Sequence, residues 1–172
     1  MEPTPYYVDD RHWAIISVRI LSIITSLPAF PALAWTIPAH NDVHTDSGGH
    51  SIVGGVVAGT AYAFLWSTIV LISRLAFHRP IHPGIYIAFD FIAFGLITSF
   101  TVLLMTFTEP YVDRSYTCRT GISCSGDTLR RVEWFGAIMA LICCATHLGL
   151  FVWACWATDI VRKMKKREEV SG

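Results

Sequence analysis

The densest set of side chains able to do chemistry lies in IPAHNDVHTDSGGHS, residues 37 to 51, where His40, His44 and His50 stand with Asp42 and Asp46 inside eleven residues. His40 and His44 are spaced i, i+4, so on a helix they would share a face. Their ring nitrogens suit zinc or copper, and the two carboxylates could complete a shell. No Glu follows His40, so the pattern is not that of a zinc protease, and Asp, Ser and Gly are also the ordinary residues of a solvated turn. The loop offers either a divalent-metal site or a pH sensor, since three imidazoles would gain charge near about pH 6. No other cofactor is expected.

Three more ionisable residues stand where charge is expensive: Arg19 in IISVRILSIITSL, Asp90 in IAFDFIAFG and His147 in ICCATHLGLF. A lone ion inside a bilayer costs on the order of several kcal/mol, so such groups face the bundle and pair. Arg19 lies six residues past Trp13, about 9 Å at a rise of about 1.5 Å per residue, and Asp90 lies five residues past Ile85. That matched depth predicts an Arg19–Asp90 ion pair; snorkelling to the interface suits a long arginine and hardly a short aspartate. Ser22 and Ser26 continue the Arg19 face, and Thr101 and Thr108 the Asp90 face, so each ion heads a polar stripe. His147, with Cys143 one turn earlier, is expected to be a neutral hydrogen-bonding partner of a neighbouring helix, with Thr98 or Ser99 at a suitable depth. A relay or metal role would need a second titratable group at its level, and none is evident.

The elements that must hold these residues follow from composition. Of 172 residues, 53% are hydrophobic and 15% charged, and the mean hydropathy is +0.48, values of a membrane protein rather than a water-soluble domain. A hydrocarbon core about 30 Å thick takes about 20 apolar helical residues. Four runs qualify, at residues 13–36, 52–77, 85–107 and 132–158. The fold class predicted is all-α, a polytopic four-helix bundle over residues 11–165 with short tails at 1–10 and 166–172. The connections 40–49, 78–84 and 108–131 are too short to build a core of their own. Ala32-x-Ala34 imitates a signal-peptide cleavage site, but Glu2, Asp9 and Asp10 crowd the start and Arg19 breaks the apolar stretch, so the first span is expected to be retained.

Arg11, Arg74, Arg79, Arg162, Lys163, Lys165, Lys166 and Arg167 gather on one side, against Arg114, Arg119, Arg130 and Arg131 on the other. The positive-inside bias therefore puts both termini in the cytosol. Cys118 and Cys124, in YTCRTGISCSG, then lie outside and can close a small disulfide. Trp35 and Trp134 mark the outer interface, and Trp13, Tyr86, Trp153 and Trp156 the inner one. Trp66, well inside the second span, is the exception. HRPIHP (78–83) reads as a stiff connector and RKMKKREE as a basic juxtamembrane segment that anchors topology. Cys155 is placed for S-palmitoylation.

Gly55, Gly59 and Ala63 recur every four residues and make a flat strip for close helix approach. Gly136, Ala140 and Cys144 form a looser strip in the fourth span, and Gly95 and Ser99 one in the third. The strip predicts packing inside the bundle, with homo-oligomerisation through it left open. Pro28 and Pro31 are expected to kink the outer half of the first span.

This layout resembles the short fungal-type MARVEL-domain proteins over residues 11 to 165: cytosolic termini, an arginine early in the first span (VRILSI), an acid early in the third (IAFDFIAFG), a cysteine-bearing second outer loop and a basic tail. The resemblance implies a non-enzymatic role, organising membrane patches or vesicle trafficking at the plasma membrane or in the endomembrane system. It implies lipids and other membrane proteins as partners and no catalytic residues. No nucleic-acid partner is expected.

Nothing in the chain reads as a nucleophile with a positioned base, a phosphate-cradling Gly loop or a redox CxxC. A small membrane enzyme or metal-handling protein built on His40, His44 and His50, with His147 as a further candidate, is the alternative, and bound metal or cofactor in the purified protein separates it from a scaffold. A transporter or channel subunit is disfavoured by how few ionisable side chains the spans supply.

Overall fold

Four helices make up the computed structural model, which describes residues 13–42, 49–76, 83–108 and 126–171. They are α1 (Trp13–Asp42), α2 (Gly49–Leu75), α3 (Pro83–Thr108) and α4 (Gly126–Ser171). Each contains a stretch long and apolar enough to cross a membrane: Trp13–Pro38, Ser51–Leu75, Gly84–Thr106 and Thr128–Ile160. Among the described residues the fold is all-helical, and the chain is a multi-pass integral membrane protein. Helices are the outcome because lipid offers no partner to a backbone N–H or C=O, so each apolar segment must satisfy its own. The same surroundings let α1 run on through Pro28, Pro31 and Pro38. α3 opens on Pro83, a position where the missing N–H has no helical acceptor to lose.

The helices form a ring in chain order. α1 packs on α2 and α4, and α3 packs on the same two, while the backbones of α1 and α3 face each other across a diagonal without touching. Buried positions recur at alternating spacings of three and four: Ile15, Arg19, Ser22, Ser26, Ala29, Leu33 and Thr36 on α1, and Val53, Val56, Thr60, Ala63, Ser67 and Val70 on α2. This is the seam of a knobs-into-holes bundle.

What fills the seam is inverted relative to a soluble bundle. Serines, threonines, alanines and the ions point inward beside Leu33, Ile97, Leu104 and a few valines, while Ile24, Leu27, Leu65, Ile69, Phe91, Val102, Ile138 and Val152 point out. In hydrocarbon an outward leucine loses nothing, so helix association rests on close packing and hydrogen bonds between small and polar residues. The Gly55–Gly59–Ala63 strip packs inside the bundle against α3. A Cβ on Gly55 would clash with the edge of the Phe100 ring, and one on Gly59 would meet Ile97 Cγ1 at 3.3 Å and Ile97 N at 3.4 Å. Gly136 gives the same access to Leu33, whose Cγ would lie 2.6 Å from an added Cβ. Gly95 and Ser99 make no such strip: Gly95 faces open space and Ser99 is exposed.

α4 departs most from its expected bounds. It begins six residues before the expected Val132 and continues thirteen beyond Thr158. Hydropathy marks only the apolar part of a helix, whereas charged residues extend one readily when they pair at i, i+4, as Lys163 Nζ does with Asp159 Oδ2 at 2.6 Å.

Candidate functional site: a buried ionic node

One turn and a half into α1, Arg19 turns inward and is 2% exposed. Its guanidinium grips the Asp90 carboxylate with both terminal nitrogens, Nη1 to Oδ1 at 2.7 Å and Nη2 to Oδ2 at 2.6 Å. Asp90 is fully buried, and its Oδ1 also accepts from Trp66 Nε1 at 2.9 Å and from His147 Nδ1 at 3.0 Å. Four donors from three helices thus replace the water a carboxylate would otherwise demand. Without them the desolvation of two ions would exceed their mutual attraction. Fork-on-carboxylate geometry is the arrangement that returns most of it.

The node has a direction. A carboxylate held by an arginine has no hydrogen to give, so the His147 proton at this contact sits on Nδ1. In the neutral imidazole Nε2 then accepts the Ser22 hydroxyl, 3.0 Å away, and Ser22 Oγ in turn accepts from Ser67, 3.1 Å away. The donors Ser67, Ser22 and His147 all aim toward Asp90. With a neutral His147 the cluster carries no net charge, and it joins all four helices. Around it sits an aromatic wall. The Arg19 guanidinium lies 5.8 Å from the Trp66 ring centre and 5.7 Å from that of Tyr86, and Trp66 stacks on Phe89 at 4.5 Å. Tyr86 accepts from Arg74 Nε at 3.0 Å while the Arg74 guanidinium lies 5.1 Å from its ring. Ring faces carry the negative end of the aromatic quadrupole, so they stabilise a buried cation without a second ion.

The sequence reading and the structure differ here in particular places. Arg19 and Asp90 are brought together, as are Ser22 and Ser26 in the interior; Thr101 is buried too, with no hydrogen-bond partner for its hydroxyl. His147 does not meet Thr98 or Ser99. Thr98 Oγ1 lies 2.9 Å from Cys144 Sγ instead, and the second titratable group thought missing at the level of His147 is Asp90. Counted from the expected span ends, His147 lay about 9 Å deeper than Asp90 at 1.5 Å per residue. That count fails because α4 runs past the membrane edge, so Thr158 is not a depth marker; Ala154 and Trp153 pack beside Trp66, Val70 and Tyr86. Tyr86, read as an interfacial aromatic, is 3% exposed and part of the node. Trp66 was the residue to follow, since an indole N–H far from either interface needs an acceptor. Glu133, at the edge of the fourth run, is 7% exposed.

Of the loop residues, His44, Asp46, Cys118 and Cys124 lie outside the described residues, as do the side chains of His40, Asp42 and His50. His40 and Asp42 fall on the last turn of α1 and His50 on the first of α2. Cys155 is exposed, and Cys143 and Cys144 are buried. Comparison with family models, with curated proteins and with solved structures yields no match to this chain.

Proposed function

We propose that the protein is a non-enzymatic membrane organiser of the plasma membrane or endomembrane system, acting through helix and lipid contacts, with cytosolic termini and an outer Cys118–Cys124 disulfide. The observation that supports it is the distribution of polarity. The Arg19, Asp90, His147 and Trp66 side chains are joined to one another inside the bundle, and large apolar side chains such as Ile24, Leu65, Phe91 and Val152 are exposed on its outside. The layout shared with MARVEL-domain proteins supports the same reading and adds lipids, other membrane proteins and copies of itself as partners. The test is lateral distribution and proximity labelling of the chain at native level. Patches and a reproducible membrane-protein neighbourhood are expected; a uniform distribution, with stoichiometric metal on the purified protein, would turn the reading toward the His40–His50 loop as a metal or enzymatic site.

A second reading, a proton-handling or transport subunit, is favoured by the His147–Asp90 contact at 3.0 Å and by Glu133 in the same bundle. Proton flux through reconstituted protein, abolished by His147→Phe, would support it.

A further inference from the structure

The apolar stretch of α4 ends at Ile160 while the helix continues to Ser171, so the residues that follow are carried outward on one continuous rod. Asp90 lies six residues past Gly84, where the apolar stretch of α3 begins, and His147 touches it, so the level of Gly84 is reached on α4 near Trp153; at about 1.5 Å per residue Arg162 stands about 14 Å and Arg167 about 21 Å beyond that level. That puts the arc just outside the headgroup layer, roughly 5–8 Å deep on each side of the hydrocarbon, and within about one Debye length of it at low salt. Arg162, Lys163, Lys166 and Arg167 are all exposed, and at about 100° per residue they occupy a single arc of about 140°. The one acid in that arc, Asp159, is paired with Lys163.

Helix polarity matters as much as charge. Side chains lean toward the N-terminus of their helix, and the N-terminus of α4 lies at the far end of the bundle. The four cations therefore lean back toward the bilayer rather than away from it. A basic segment entering a membrane from the N-terminal side would lean the other way.

We propose that this arc is a binding surface for anionic phospholipid headgroups, recruiting them to the rim of the bundle. The proposal deepens the reading of the chain as a membrane organiser by naming the lipid class it gathers. Charge complementarity selects lipid as the occupant: the arc is cationic, it stands just outside the headgroup layer, and its side chains lean back toward the layer where anionic phosphates and carboxylates are concentrated.

The full-length protein in phosphatidylcholine bilayers, probed with spin-labelled phosphatidylserine against spin-labelled phosphatidylcholine, provides the test. At low salt the motionally restricted fraction should favour phosphatidylserine by at least about fivefold, the gain expected from one basic residue at an anionic surface. Molar salt should erase most of that preference. The fourfold variant R162Q/K163Q/K166Q/R167Q, which keeps good helix formers, should bring it below about twofold, whereas Asp159→Asn should keep or raise it. Equal association of the two lipids at low salt, or a preference that survives the fourfold variant with helix content intact, overturns the proposal. The measurement needs no clustering, so protein that selects phosphatidylserine but forms no patches would sink the organiser reading and leave this one standing.

Discussion

Arg19 and Asp90 meet across the open diagonal of the bundle, at 2.6 Å between Nη2 and Oδ2, although the backbones of α1 and α3 that carry them do not touch. A long side chain and a short one bridge the one gap the ring of helices leaves. Every adjacent pair of helices in the ring has backbone-close contacts; this diagonal is bridged by Arg19, through its ion pair with Asp90 and its approach to the Tyr86 ring. Because Trp66 and His147 also donate to Asp90, the clasp fixes the four helices in one register as well as closing the gap. Register is the best-attested benefit of buried polar groups, whose net stabilisation is often small.

Trp66→Phe isolates one strand of the node. The substitution removes the Nε1–H donated to Asp90 and keeps a ring to stack on Phe89. Loss of a hydrogen bond to a buried charge costs about 1.5–3 kcal/mol, so the midpoint of reversible unfolding in bicelles should fall accordingly. A change below about 0.5 kcal/mol would mean that the carboxylate does not depend on the indole.

The small-residue strip predicts an opposition between neighbours on α2. Gly59→Leu drives a side chain into the backbone of α3 beside Ile97 and should destabilise by about 1–3 kcal/mol or more. Gly54→Ala faces open space and should be neutral or gain up to about 1 kcal/mol of helix propensity. Equal losses at the two positions in the same unfolding measurement would contradict the packing face assigned to α2.

Orientation is accessible to thiol chemistry. A membrane-impermeant maleimide applied to intact cells should label Cys118 and Cys124 only after reduction, and should leave the buried Cys143 and Cys144 unlabelled until the bundle unfolds. A cysteine added at Gly172 should react only after permeabilisation. Labelling of that tail from outside would invert the proposed topology.

Much of this architecture was legible because it follows from segment-scale physics. Long runs without charge must be helical in lipid, and an arginine and an aspartate at matched depth in two of them each need a partner. Finer features were hidden for specific reasons. The depth of His147 was misjudged because hydropathy does not show how far α4 continues, and a register error of one or two turns separates partners that in fact touch. Tyr86 looked interfacial because its place in the sequence is the same whether its ring faces headgroups or two guanidiniums. Glu133 escaped because a charge at the end of an apolar run reads as its boundary. The metal-ligating expectation for His40, His44, His50, Asp42 and Asp46 rests on side chains outside the described residues and stands as it did.

His147→Phe tests how the helices share the node. It removes the link from Ser22 to Asp90 and leaves the arginine fork in place. The expected cost is about 1–3 kcal/mol, the desolvation cost of leaving the partners on both sides of the imidazole short of a hydrogen bond. Adding Ser22→Ala should then cost little more, because the two residues act in one chain. Fully additive losses in unfolding would show that Ser22 and His147 act separately.

The most direct measurement is a double-mutant cycle on Arg19 and Asp90, read as reversible unfolding in bicelles. Arg19→Met and Asp90→Asn each strand a buried partner and should cost about 3–5 kcal/mol, whereas the double variant strands no ion and should cost less than the two together by about 2 kcal/mol or more. Additive losses within about 0.5 kcal/mol would mean that the two charges do not act on each other, and would contradict the clasp on which this account of the bundle rests.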